Sequence, residues 1–151
     1  MKVVKAPAAY EPEATSIFFA GSIEMGAAED WQTKLAKELE DIDGLALNPR
    51  RDDWDSTWKQ SLDEPKFVEQ VEWELDAMDA ASVIAMYFDK DTKSPITLLE
   101  LGMHANDDKL IVFCPEGFWK RGNVQVVCER QGIPMAESWK DFVALIRAAL
   151  A

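Results

Sequence analysis

Glu100 is the only charged residue between Lys93 and His104, and Leu98, Leu99, Leu101 and Met103 surround it. A carboxyl in such surroundings is desolvated in part, which raises its pKa. A second carboxyl, Glu74, follows Trp73 in an acidic stretch that precedes the apolar run Ser82 to Phe88. Two carboxyls brought to one rim can break an N-glycosidic bond with retention: one attacks the anomeric carbon and the other assists the departing base. The plainer reading also stands, because Glu74 alternates with Glu72 and Asp76 and suits a solvated helix face. Ser94, just ahead of Pro95, is placed as a helix N-cap worth about 1 kcal/mol. Capping is its main expected contribution, with its hydroxyl also in reach of a sugar hydroxyl or of Glu100. Arg50, Arg51, Lys120 and Arg121 concentrate positive charge, either as ion-pair partners or for a substrate phosphate. Trp54, Trp58 and Trp119 lie in polar loops, as stacking surfaces for a base or as lids over the core.

These residues need elements to position them, and the chain alternates strand and helix. Thr15 to Ala20 reads as a buried strand ended by Gly21, and Ala27 to Ile42 as a helix with Trp31, Leu35, Leu39 and Ile42 on one face. Gly44 to Leu47 is a short strand stopped by Asn48-Pro49. After a loop to about Pro65, Phe67, Val71, Leu75 and Met78 recur at helical spacing. Val83 to Phe88 is the third strand, a helix follows from Ser94-Pro95, and Leu110 to Cys114 is the fourth. Asn123 to Gln131 reads as a helix, Ile133-Pro134 as a short strand or turn, and Trp139 to Leu150 as the last helix. This alternation predicts an α/β fold: a parallel sheet of about five strands, covered on both faces, in flavodoxin-like order. Ligands then bind beyond the carboxyl ends of the strands. Gly21-Ser22, Asn48 to Arg51, Asp89 to Glu100 and Pro115 to Trp119 all fall at that rim.

The 151 residues suit a single domain over 15–151, with 1–14 as a loose leader interrupted by Pro7 and Pro12. A net charge of −12 disfavours nucleic-acid polymers and anionic membranes as partners. No membrane span or signal sequence is evident, and the two cysteines, Cys114 and Cys128, read as reduced core thiols, so a cytoplasmic protein is expected. No dinucleotide fingerprint, P-loop or metal-ligand cluster is present, and no cofactor or metal is expected.

The ordered set of motifs resembles the nucleoside 2-deoxyribosyltransferase family, in particular its 2-deoxyribosyltransferase-like branch, from about Ser16 to Pro134. The motifs are Phe19-Ala20-Gly21-Ser22-Ile23 with Asp30-Trp31, Asn48-Pro49-Arg50-Arg51 with Asp53-Trp54, Gln70-Val71-Glu72-Trp73-Glu74, Asp89, Leu99-Glu100-Leu101-Gly102, and Gly117-Phe118-Trp119 through Gly122-Asn123-Val124. The resemblance implies a flavodoxin-like fold with Glu100 as a nucleophile that takes 2-deoxyribose from one nucleobase and passes it to another. It implies that Glu74 manages the base's proton and that Gly21-Ser22 allow close backbone approach. Asn48, Arg50, Asp53, Trp54, Asp89 and Ser94 would contact a nucleoside or nucleotide. Asn123 would serve a neighbouring subunit in a homodimer or larger homo-oligomer. Two departures bear on the reaction. Ser94 stands where efficient base-exchanging relatives have aspartate, and the sequence ends at Ala151 where some transferases end in an aromatic residue. Hydrolysis of deoxynucleoside monophosphates or modified nucleosides therefore stays open, as does a non-catalytic nucleoside-binding module.

Overall fold

A computed structural model of the chain describes residues 1–23 and 28–151. Six strands, β1 (Lys2–Lys5), β2 (Ser16–Gly21), β3 (Leu45–Asn48), β4 (Val83–Tyr87), β5 (Leu110–Phe113) and β6 (Met135–Ala136), form one sheet in the order β1-β3-β2-β4-β5-β6. Every pairing is parallel. Among the described residues four helices connect strands, α1 (Trp31–Glu38), α2 (Pro65–Ala80), α3 (Pro95–His104) and α4 (Arg121–Gln131), and α5 (Trp139–Leu150) follows β6.

Strand alternation sorts the side chains into two cores. Phe18, Ala20, Ile84, Met86 and Val112 point to the face covered by α2, α3 and α4, where Trp73, Ala77, Leu101, Val124 and Cys128 meet them. Ile17, Phe19, Val83, Ala85 and Ile111 point to the opposite face, against Trp31 and Leu35 of α1 and Phe142 and Ile146 of α5. A parallel sheet buried on both faces needs this continuous apolarity, and β2 shows it as Ile-Phe-Phe-Ala without a polar break. Without β1 the order is that of flavodoxin-like folds, so the expected architecture holds with six strands instead of five.

The additional strand, β1, corrects the expected loose leader. Lys2–Lys5 pairs with Leu45–Asn48, burying Val4 and continuing through a hydrogen bond from Ala6 N to Asn48 O of 3.0 Å. One inward residue suffices because an edge strand is covered on few sides. The inward face of α2 is also rotated from the expected one: Gln70, Trp73, Ala77 and Met78 are buried, whereas Phe67, Val71 and Leu75 are only half-buried at its flank. The expected start of the first helix at Ala27 lies outside the described residues; Asp30 caps α1, accepting from Thr33 N at 3.2 Å. Both cysteines are buried thiols, and burial pushes Cys114 up to about 12 and Cys128 up to about 11. Among the described residues no helix is long and apolar enough to cross a membrane.

Candidate active site

The connection after β2 leads to α1 on one face, and the connection after β4 leads to α3 on the other. Between these neighbouring strands the sheet therefore has its topological switch point, the usual crevice for a ligand in open α/β sheets. Two groups of polar side chains meet there: a set of buried hydroxyls and a pair of carboxyls.

The hydroxyls form a ring. Asp89 N donates to Ser22 Oγ at 2.8 Å, Ser22 Oγ lies 2.5 Å from Ser94 Oγ, Ser94 Oγ lies 2.7 Å from Thr92 Oγ1, and Thr92 Oγ1 donates to Asp89 O at 2.9 Å. The circuit starts and ends on Asp89, and a contact of 3.1 Å between Ser22 and Thr92 crosses it. Ser22, Thr92 and Ser94 are all buried. Ser22 is itself fixed, its N–H on Tyr87 O and its carbonyl accepting from Trp31 Nε1 at 3.1 Å.

This arrangement corrects the expected role of Ser94. It sits at the N-cap position, but its side chain makes no cap hydrogen bond and its backbone is left-handed, with φ 46° and ψ 53°. That conformation costs a non-glycine residue roughly 1–2 kcal/mol. Pro95 already disfavours the right-handed helical region for the residue before it. The hydroxyl ring meets the chain at this left-handed residue, through Ser22 Oγ and Thr92 Oγ1.

Six residues into α3 lies Glu100, buried and within reach of the charge of Glu74 on α2. Burial and the charge of Glu74 push its carboxyl up to about 8. Burial likewise pushes Glu74 up to about 7, against a hydrogen bond from Gln70 that favours the ionised form. Gln70 is tied down by its Nε2 on Pro49 O at 2.8 Å. Because ionised Glu74 is part of what holds Glu100 high, a proton on Glu74 makes Glu100 easier to ionise. Near neutrality Glu100, the higher of the two, is the main holder of a proton, and moving that proton to Glu74 leaves Glu100 as a carboxylate, so one member can be a nucleophile while the other is an acid.

The remaining expected site residues divide sharply. Gly21 ends β2 at φ +152°, and a Cβ there would lie 2.3 Å from Tyr87 O and 2.8 Å from a Trp31 ring carbon. Its glycine is explained by strand and indole packing, without a ligand. Asn48 Oδ1 accepts from Arg50 N at 3.0 Å, closing the turn that follows β3. Arg50 binds Gln32 Oε1 at 2.8 Å, Ala28 O at 3.2 Å and Glu29 O at 2.9 Å, clamping the start of α1. Asp53 pairs with Arg51 Nε at 2.7 Å, and Arg51 also meets Glu69 at 2.8 Å. Trp54 packs edge-on against Trp58 at 5.1 Å, with the Arg51 guanidinium 5.0 Å over the Trp58 ring. Trp119, half exposed, donates to Lys93 O at 2.9 Å. Asp89 is half-buried and receives Asp91 N at 2.9 Å, and Asn123 is exposed on α4.

A cleft of about 500 Å³ opens beside the hydroxyl ring, lined by Glu29, Tyr87, Asp89, Thr92 and Phe113 among others. Glu74 and Glu100 do not line it: they lie toward the α2 and α3 face, while Tyr87 and Phe113 pack on the α1 and α5 side. Thr92 belongs to both ring and cleft and was missed in the sequence, where a threonine three residues after Asp89 gives only a weak turn signal. Tyr10 was missed as well. It packs edge-on against Trp73 at 5.9 Å, and Trp73 Nε1 donates to Ala8 O at 2.9 Å, so the N-terminal segment braces the helix that carries Glu74.

Comparison with curated proteins gives no match. A conserved protein from Enterococcus faecalis V583 has a similar structure, with TM-score 0.59 at 13% identity over 89% of this chain and 98% of that chain, which is a likeness of fold. The family model described as nucleoside 2-deoxyribosyltransferase like matches residues 14–118. That span contains β2 through β5, the hydroxyl ring and both raised carboxyls, and the chain belongs to the nucleoside 2-deoxyribosyltransferase-like family.

Proposed function

We propose that this protein cleaves the N-glycosidic bond of a 2′-deoxynucleoside and transfers the sugar to another nucleobase through a covalent deoxyribosyl ester of Glu100. The observation that carries this reading is the buried Glu100 within electrostatic reach of Glu74, both raised toward neutrality by burial. In the first half-reaction the ionised Glu100 attacks C1′. The bond from C1′ to the base nitrogen breaks with its electron pair on the base, and Glu74 supplies the proton that the base takes up. In the second, a nitrogen of the incoming base attacks C1′, Glu100 leaves as carboxylate, and Glu74 recovers a proton. Water in place of the second base gives hydrolysis by the same route.

The commitments of the two arginines favour a neutral nucleoside over its 5′-monophosphate. Arg50 is spent on the start of α1 and Arg51 on Asp53 and Glu69, so neither is poised for a phosphate. In this reading Asn48, Asp53, Trp54 and Asp89 shape the rim, and Asn123, exposed on α4, serves the site of a second subunit.

Chromatographic assay of the purified protein with 2′-deoxyinosine, thymidine and their 5′-monophosphates, each with and without adenine, tests the reading. Deoxyadenosine formed by the wild type and lost in Glu100→Ala is the expected result. Free base without exchange makes the protein a hydrolase. Tight nucleoside binding without turnover, insensitive to Glu100→Ala, makes it a binding module.

A further inference from the structure

The hydroxyl ring has no counterpart among the groups that carry the proposed chemistry, yet it joins the three elements that frame the site. Ser22 is the residue after β2, Asp89 follows β4 closely, and Ser94 is the residue from which α3 starts. Thr92 is the hub, with Oγ1 touching Ser22 Oγ at 3.1 Å, Ser94 Oγ at 2.7 Å and Asp89 O at 2.9 Å. The ring's contacts run from Ser22 to Ser94, from Ser94 to Thr92 and from Thr92 to Asp89 O, with Ser22 also touching Thr92. A consistent direction runs from Asp89 N–H through Ser22, Ser94 and Thr92 back to Asp89 O. All three side chains are buried. The ring is built to hold protein to protein.

What it holds is the left-handed turn at Ser94. Ser94 O accepts the first hydrogen bond of α3, from Leu98 N at 3.1 Å, so the orientation of Ser94 sets the orientation of the helix. Glu100 rides on that helix, buried and within electrostatic reach of Glu74. A displacement of about 1 Å in a reacting group is enough to cost about 100-fold in rate.

We infer that Thr92 is a positioning residue, which locks Ser94 in its left-handed conformation through the Ser22–Ser94–Thr92 ring and thereby fixes Glu100 relative to Glu74. The inference rests on the transfer reaction proposed above for its kinetic consequence, and on geometry alone for the placement of Glu100.

The test compares Thr92→Val, which keeps the shape and removes the hydroxyl, with Thr92→Ser, which keeps the hydroxyl. Kinetics of 2′-deoxyinosine with adenine should show kcat of Thr92→Val lower by about 10- to 100-fold with KM within about threefold of wild type. Thr92→Ser should stay within about threefold in both constants. Carboxyl carbon-13 resonances, with Glu100 assigned through Glu100→Gln, supply a readout that needs no substrate. The Glu100 titration should move in Thr92→Val and stay in place in Thr92→Ser. An unchanged Glu100 titration and kcat in Thr92→Val overturn the inference. Equal losses in both variants overturn it too, because the hydroxyl is then not the cause. A rise in KM alone would make Thr92 a substrate contact instead. A wild type with no turnover sinks the proposed reaction, and the carbon-13 titration still decides the positioning claim.

Discussion

Replacing Glu100 by glutamine should make the protein more stable at alkaline pH while destroying its proposed nucleophile. The carboxyl has an ordinary value of 4.5 and is raised to about 8 in the folded chain. An acid raised in this way adds no penalty below its unfolded value, where both states hold the proton. As the pH rises above that value the unfolded chain releases its proton first, and stability falls until the folded value is passed. Integrating this linkage from about pH 5 to about pH 8 gives a loss of about 3 kcal/mol from Glu100 alone. Glu100→Gln has no proton to lose at this position, and the other titrating groups are common to both proteins, so the rest of the titration largely cancels between them. Urea unfolding followed by tryptophan fluorescence, at one protein concentration, is the assay. Near pH 5 the proteins should differ by about 1 kcal/mol, the scale of an altered hydrogen bond. Near pH 8 the variant should have gained about 3 kcal/mol on the wild type, about 1.5 M in urea midpoint for a slope of about 2 kcal/mol/M. Parallel stability curves across this range would refute the reasoning, because Glu100 would then not be held above its ordinary value by the fold.

The pH dependence of kcat/KM should be bell-shaped, because the reaction needs one proton on the pair. It should fall below about 7, where Glu74 and Glu100 are both protonated, and above about 8, where both are ionised. In Glu74→Gln the bell should collapse to a single limb, at lower pH than the wild-type alkaline limb, since the Glu74 charge no longer raises Glu100. Arg50→Ala should cost about 2 kcal/mol in a denaturation curve, leaving the fully buried Gln32 and two backbone carbonyls without their partner. It should not change the preference between a nucleoside and its 5′-monophosphate, whereas a phosphate ligand of that kind would lose the monophosphate selectively. Gly21→Ala should cost about 3 kcal/mol or more, because its Cβ would enter the space 2.3 Å from Tyr87 O; melting within a degree or so of wild type would show that the strands tolerate it.

Much of the fold is legible in the sequence because parallel strands buried on both faces read as plain apolar runs. Ile17 to Ala20, Val83 to Met86 and Leu110 to Val112 are such runs, and all lie in the cores. β1 escapes this logic: of Lys2–Lys5 only Val4 is buried, and Pro7 and Pro12 make the surrounding stretch look like a leader. The inward face of α2 is not legible in the sequence because Gln70, a polar residue, turns inward to hold Pro49 O.

The candidate site is legible in proportion to how local its signals are. Glu100 stands out as one charge in an apolar helix, and that placement causes its burial. Glu74 is ambiguous in sequence, since Glu72 and Asp76 flank it and only the approach of α3 distinguishes it. Arg50 reads in the sequence either as an ion-pair partner or as a contact for a substrate phosphate, because charge type is visible there and partner is not; its partners lie on the segment before α1 and in the helix itself. The hydroxyl ring was out of reach for a similar reason. It depends on a left-handed serine and on two loops meeting at the switch point, and Ser22, Thr92 and Ser94 are ordinary residues until those loops are closed.

Mass analysis of the protein quenched during turnover of a 2′-deoxynucleoside tests the central claim most directly. The account predicts a fraction of the chain heavier by one deoxyribosyl group, with the added mass mapping to the peptide that contains Glu100 and absent from Glu100→Ala. Turnover with no such adduct under rapid acid quench, or an adduct on any other residue, would contradict it.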